Sequence, residues 1–180
     1  MRPGDPSVRL ASMPELYALH QSLFSFGGDA WIEDGQGNRV YEVDGKAFVL
    51  GRTLDLLDRS GTVLYTIHAP VFSIQPTFEI SRDGASVATI RKAMFTFFAA
   101  KFAIDLADGG ELAAEGDFLD HEFRITRGDD EVIGASRAWL SLHDTYGVRV
   151  AEGFDPALAL AIVIAIEQMV RPRATAPPAV

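Results

Sequence analysis

The sequence predicts an all-β fold: a closed antiparallel barrel of about twelve strands around one central hydrophobic C-terminal α-helix. Three observations carry that prediction. From Tyr17 to Val150 the chain alternates apolar and polar residues in short runs, the period of half-buried strands. Breaks built on Gly and Asp recur roughly every 8–15 residues, as in sandwiches and barrels rather than in βαβ units. A run without a polar residue, Ala157–Ile166, follows the last of these stretches.

The breaks set the strands. Asp34-Gly35-Gln36-Gly37-Asn38 sits between Ala30–Glu33 and Arg39–Val43 and reads as a hairpin turn. Asp44-Gly45, Asp58–Gly61, Arg82-Asp83-Gly84, Ala107–Gly110 and Arg127–Asp130 repeat the pattern. Gly supplies the positive φ that tight hairpins need, and Asp and Asn tolerate it. Strands are therefore expected near Leu16–Gln21, Asp29–Glu33, Arg39–Asp44, Thr53–Leu57, Val63–His68 and Thr77–Arg82. Six more are expected near Ser86–Ala93, Lys101–Leu106, Leu112–Asp117, Glu122–Arg127, Glu131–Arg137 and Thr145–Val150.

Asp155 is a good N-cap and Pro156 suits a first helical position, so a helix is expected over Ala157–Val170, stopped by Arg171-Pro172. A helix apolar all round is buried all round. A bilayer span needs around 20 apolar residues, so this shorter run is expected inside a protein core. At 1.5 Å per residue it is roughly 21 Å long, about the height of a barrel made from six-residue strands. The chain is not expected to span a membrane.

Composition narrows the function. The 180 residues carry 16 Lys and Arg against 25 Asp and Glu, a formal net charge of -9. A protein that tracks nucleic-acid phosphates needs a basic surface, so no nucleic-acid partner is expected. There is no Cys, which excludes disulfides, thiolate zinc sites and a cysteine nucleophile. Residues 1–14 and 171–180 read as Pro-containing tails, leaving 15–170 as a single domain. Met1–Pro14 lacks the apolar core of a secretory signal, and a cytoplasmic location is expected.

Several pieces, in order and spacing, make the chain resemble the LURP-one-related family, whose fold is shared with tubby C-terminal domains and phospholipid scramblases. They include Gln21–Ser25, Asp34–Gly37 with Val40-Tyr41, Leu57–Gly61, Pro76–Ile80 and Ile90-Arg91-Lys92. Gly116–Phe123, Ser136-Arg137 and Asp144–Val148 follow, the last running through Asp155 into the apolar helix. The resemblance implies the same twelve-stranded barrel around a C-terminal helix, but no particular activity, since a fold does not carry one. Scramblases are associated with a calcium-binding loop before the last helix. Here Asp144–Asp155 offers only Asp144, Thr145, Glu152 and Asp155 as side-chain oxygens, fewer than calcium's usual six to eight ligands.

No catalytic, metal or cofactor motif stands out. His20, His68, His121 and His143 lack metal-ligand spacing, and Asp117, Asp120, His121 and Glu122 read as a polar turn. Gly134–Ala138 falls one residue short of a nucleophile elbow and reads as strand. Gly35-Gln36-Gly37 leads into a strand where a dinucleotide site needs a helix. The pairs Asp55/Asp58 and Asp129/Asp130 read as solvated turns.

The sharpest candidate is Arg91–Phe102, with Arg91, Lys92 and Lys101 around Met94-Phe95-Thr96-Phe97-Phe98 and no acid. Cations flanking aromatic groups suit a loop at a bilayer interface or a seat for an anionic head group. They also suit two core strands with cations at the rim, since inward Phe fills a barrel. The expected function is a non-enzymatic binding or signalling module, for a phospholipid or phosphoinositide head group or a partner protein, with Arg91, Lys92 and Lys101 as ligand-binding residues. The alternatives are a scaffold without a small ligand and an enzyme with a loop-built site. A deep pocket with a buried carboxylate–histidine pair would favour the enzyme.

Overall fold

A computed structural model describes residues 14–20, 30–46, 52–70, 75–93, 101–140 and 145–170. The strands are β1 (Glu15–His20), β2 (Ala30–Asp34), β3 (Arg39–Lys46), β4 (Arg52–Asp58), β5 (Val63–Ala69) and β6 (Thr77–Arg82). They continue as β7 (Ala85–Lys92), β8 (Lys101–Leu106), β9 (Glu111–Asp117), β10 (Glu122–Arg127), β11 (Asp130–Ser136) and β12 (Thr145–Val150), before helix α1 (Pro156–Val170). Each strand pairs antiparallel with its sequence neighbours, and β1 closes on β12 from Glu15↔Val150 to His20↔Thr145. The barrel, the strand count and the C-terminal helix are as the sequence predicts, with each strand's bounds within two residues of expectation.

Alternation places the core. In β6 Phe78 and Ile80 point inward, in β8 Phe102, Ile104 and Leu106, and in β10 Phe123 and Ile125. These side chains share one apolar core with α1, whose Ala159–Ile166 are buried on every side. Ala159, Ala161 and Ala165 keep parts of the helix thin, and β5, β6 and β7, which carry the buried Ile67, Ile80 and Ile90, pack against it. No helix among the described residues is long and apolar enough to cross a membrane.

Antiparallel order sorts the connections onto two ends. The turns β2–β3, β4–β5, β6–β7, β8–β9 and β10–β11 share one end with the start of α1. The β9–β10 turn and the end of α1 lie at the other end. At the first end Asp34 Oδ1 accepts from the Gln36 and Asn38 amides, and Asp58 Oδ1 from those of Ser60 and Thr62. Such Asx turns satisfy backbone donors where the ladder stops.

One expectation fails here. Asp55 does not share a solvated turn with Asp58; it sits within β4 at 2% exposure, opposite Asp44 and Thr66. Its Oδ1 accepts from Thr66 Oγ1 at 2.8 Å, which offsets the cost of covering a carboxylate.

Candidate functional site

Among the described residues the interior holds one buried ionisable pair. His121 occupies the last position of the β9–β10 turn at φ 57°, and its ring turns into the barrel. There His121 Nδ1 lies 2.7 Å from Glu167 Oε1, and both side chains are fully buried. The ring stacks on Tyr146 of β12 with centroids 4.2 Å apart and planes 16° apart. The polar-turn reading of 117–122 is thus corrected at one residue. Asp117 Oδ1 caps the Leu119 and Asp120 amides, and Glu122 accepts from Ser136 Oγ and the Arg137 amide. His121 alone of the four joins the core.

This carboxylate–histidine pair sits in packed core rather than in a deep pocket. Three open grooves on the barrel, of about 520, 360 and 530 Å³, are lined by neither His121 nor Glu167.

At the opposite end of α1, Asp155 is the cap. Its Oδ1 accepts from the Ala157 and Leu158 amides at 2.9 and 3.2 Å, and its Oδ2 from Tyr65 Oη at 2.7 Å and Arg82 Nη2 at 2.8 Å. Burial works against its ionisation, yet the bonds from Tyr65, the Leu158 amide and Arg82 outweigh it and hold the carboxyl below its ordinary range. Arg82 also lies over the Tyr65 ring, 4.3 Å from its centroid. Of the four oxygens at scramblase-loop positions, Asp155 is committed to the helix cap, Thr145 is buried in β12 and Glu152 is exposed in the 151–155 turn; Asp144 lies outside the described residues.

Gly134 is not part of a nucleophile elbow. Strand β11 ends at Ser136, and a short 3₁₀ turn, Arg137–Trp139, folds Trp139 back over the outer face. A Cβ on Gly134 would stand 2.9 Å from the Trp139 ring and 2.6 Å from Glu131 Oε1. Arg149 of β12 covers the indole, 4.0 Å from its centroid.

The predicted ligand residues gather at the end of the barrel away from the Asp turns, where β7 stops and β8 begins. Arg91 and Lys101 lie on the outer face, and both are exposed. Lys92 follows the inward parity of Ala88 and Ile90 and is half-buried at the rim, opposite Phe102. Met94–Ala100 lies outside the described residues. Phe102 is 1% exposed, so this end of the stretch is core strand.

The sequence reading missed what these cations face. Arg91 is ion-paired with Asp105 of β8, while Lys101 Nζ lies 3.4 Å from Glu115 Oε2 of β9. Glu115 is shared with Arg124 of β10 at 2.6 Å, and the bonds from Arg124 and then Lys101 hold its carboxyl below the usual range. The signal lies in β8–β9 pairing, which sets Lys101 opposite Glu115.

A closed twelve-strand antiparallel barrel with its interior taken by its own C-terminal helix is the class of fold to which the chain belongs. This chain belongs to the family described as LURP-one-related, which matches residues 15–167. It is 32% identical over 157 residues to the uncharacterized protein YxjI of Bacillus subtilis, covering 87% of this chain and 94% of that one. The X-ray structure of a protein from Arabidopsis thaliana shares the fold with a TM-score of 0.66 at 20% identity, covering 89% of this chain and 94% of that one.

Proposed function

We propose that the chain is a non-enzymatic binding module whose rim of Arg91, Lys92 and Lys101 receives an anionic phospholipid head group. The observation that carries this reading is the packed interior: α1 fills the barrel, which moves recognition to the outside. At the β7–β8 rim three cations stand close in a chain of net charge -9, on either side of an aromatic stretch in the sequence. The Arg91–Asp105 and Lys101–Glu115 pairs are exposed, and exposed pairs contribute little net stability, so a phosphate that offers more contacts can displace them. A cytoplasmic location belongs to the same reading, because the anionic leaflet faces that side.

Co-sedimentation with phosphoinositide-containing and neutral vesicles tests it. Binding is expected to the anionic vesicles at low salt, to fall steeply as salt rises, and to vanish in Arg91→Glu or Lys101→Glu with the melting temperature kept. If neither vesicle pellets the protein, or charge reversal changes nothing, the rim is core strand with solvated cations and the scaffold reading takes its place.

A further inference from the structure

The three grooves on the barrel differ in how their charges are balanced. The groove of about 530 Å³ holds Arg91 against Asp105, and that of about 520 Å³ holds Lys101 and Arg124 against Glu115. Their bases are already paired with acids, and further acids line them besides, Glu111 in the first and Glu122 and Glu131 in the second. The third groove, of about 360 Å³, lies at the Asp-turn end between the start of β1 and the β2–β3 hairpin. Glu15, Tyr17, Asp34 and Tyr41 line it, with Leu16 and Gly35 among its walls, and among the described residues no basic side chain does.

Two aromatic rings and two carboxylates therefore face one opening. Tyr17 is 7% exposed, and its hydroxyl donates to Glu15. Tyr41 stands beside it, ring centroids 6.0 Å apart and tilted by 48°. Burial, and then the bond to Glu15, raise the Tyr17 phenol's pKa; burial first raises that of Tyr41, so both stay neutral. Asp34 remains ionised, its pKa lowered first by its bonds from Asn38. Two neighbouring arginines are engaged elsewhere. Arg39 lies over the Trp31 ring, 5.1 Å from its centroid, and Arg82 is held by Asp155. Arg59 is the least of the influences on Asp34.

From this we infer that the Tyr17–Tyr41 groove receives the cationic side chain of a basic polypeptide partner, its guanidinium or ammonium group set against Glu15 and the tyrosine rings. Aromatic faces attract cations through their negative quadrupole, and a neighbouring carboxylate supplies a charged acceptor. The surrounding turns extend the match beyond one side chain. Asp58, Asp83, Asp108 and Asp129 ring the same end of the barrel, so a segment with several positive charges meets a negative field on approach. The groove's size suits one long side chain rather than a folded surface. This site lies at the opposite end from the Arg91–Lys92–Lys101 rim and is independent of the lipid reading.

The test is a titration of the ¹⁵N-labelled full chain with a short peptide carrying two arginines, and with the same peptide carrying glutamines. Amide signals of Glu15, Tyr17, Gly35 and Tyr41 are expected to move with the arginine peptide only. Glu15→Gln and Tyr41→Leu are each expected to raise Kd by about fivefold or more, while Tyr41→Phe, which keeps the ring face, stays near wild type. Asp129→Asn removes an equal charge from another turn at this end and is expected to change Kd far less than Glu15→Gln does. The inference is overturned if the glutamine peptide binds as well, or if the groove signals do not move. Equal losses in Asp129→Asn and Glu15→Gln would also overturn it, since they would mark diffuse attraction without a seat.

Discussion

Asp155 caps the helix that it precedes and, on its other oxygen, accepts the hydroxyl of Tyr65, ninety residues earlier in the chain, at 2.7 Å. One carboxylate thereby ties the start of α1 to the barrel wall. Arg82 on the neighbouring strand adds a second tie to the same oxygen. The entry of the helix into the barrel is fixed by charge and hydrogen bonds, and its path by apolar packing.

That relationship predicts an acid-sensitive fold. A carboxyl whose folded pKa lies below its unfolded one contributes stability that is present above the unfolded value and lost as pH falls through the folded value. The wild-type melting temperature should fall on acidification below about pH 4, the ordinary carboxylate range, more steeply than that of Asp155→Asn. Asn keeps the cap but not the charge, whereas Asp155→Ala loses both and should cost about 1–2 kcal/mol at neutral pH. Thermal melts by circular dichroism across pH check both. Equal pH slopes in wild type and Asp155→Asn would remove the carboxylate's role.

The apolar path of the helix is the second prediction. Ile164 is 1% exposed in the centre of the barrel. Ile164→Ala should cost about 2–5 kcal/mol, and Ile164→Asp, which buries an unpaired carboxylate, should leave no cooperative fold. Truncation after Gly153 should likewise give an unfolded or aggregated chain. A soluble truncated protein with a cooperative melt would show that the barrel stands without its filling.

Third, His121 and Glu167 should behave as a coupled unit. Removing one partner of a buried pair strands the other, so His121→Leu or Glu167→Leu alone should destabilise by about 3–5 kcal/mol. The double variant should cost less than the sum of the two, the deficit being the coupling energy of a double-mutant cycle. Denaturant unfolding measures it, and simple additivity would mean that the two side chains merely adjoin.

Much of this was legible in the sequence, and the division is physical. Strand alternation and Asp-Gly turns are local signals, so β6, β8, β10 and β12 match their expected bounds at both ends. The 14-residue apolar helix was legible by length and composition, with Pro156 joining it at the front. Leu158 and Met169, expected in the core, are half-buried near the helix ends. What the sequence hid depends on which strands meet. Asp105 and Glu115 neutralise Arg91 and Lys101 only because β7, β8 and β9 pair in one register. His121 and Glu167 are 46 residues apart. The available hint was an acid near the end of an otherwise apolar buried helix, which calls for a partner inside.

Fourth, Trp139 should report on Gly134. A methyl group there meets the indole at 2.9 Å and the Glu131 carboxylate at 2.6 Å, so Gly134→Ala must push the ring off the outer face. In a Trp31→Phe background, where Trp139 is the sole indole, the emission of Gly134→Ala should shift to the red as the ring gains water. Overpacking of this kind costs about 1–3 kcal/mol. Unchanged emission would place the indole somewhere other than over Gly134.

The last prediction concerns the carboxylates that cover the proposed head-group rim. Asp105 and Glu115 hold Arg91 and Lys101 in exposed pairs, and an incoming phosphate must displace them before it gains either cation. Asp105→Asn and Glu115→Gln should therefore leave the melting temperature nearly unchanged while strengthening attachment to anionic vesicles at low salt. Each substitution also lowers the net negative charge by one, which by itself weakens repulsion from the membrane. Asp129→Asn, at the far end of the barrel, supplies the control for that general effect. If the two rim variants bind anionic vesicles better than Asp129→Asn does, the cations are the seat and the carboxylates their competitors. Gains equal to that of Asp129→Asn would reduce the rim to ordinary surface charge.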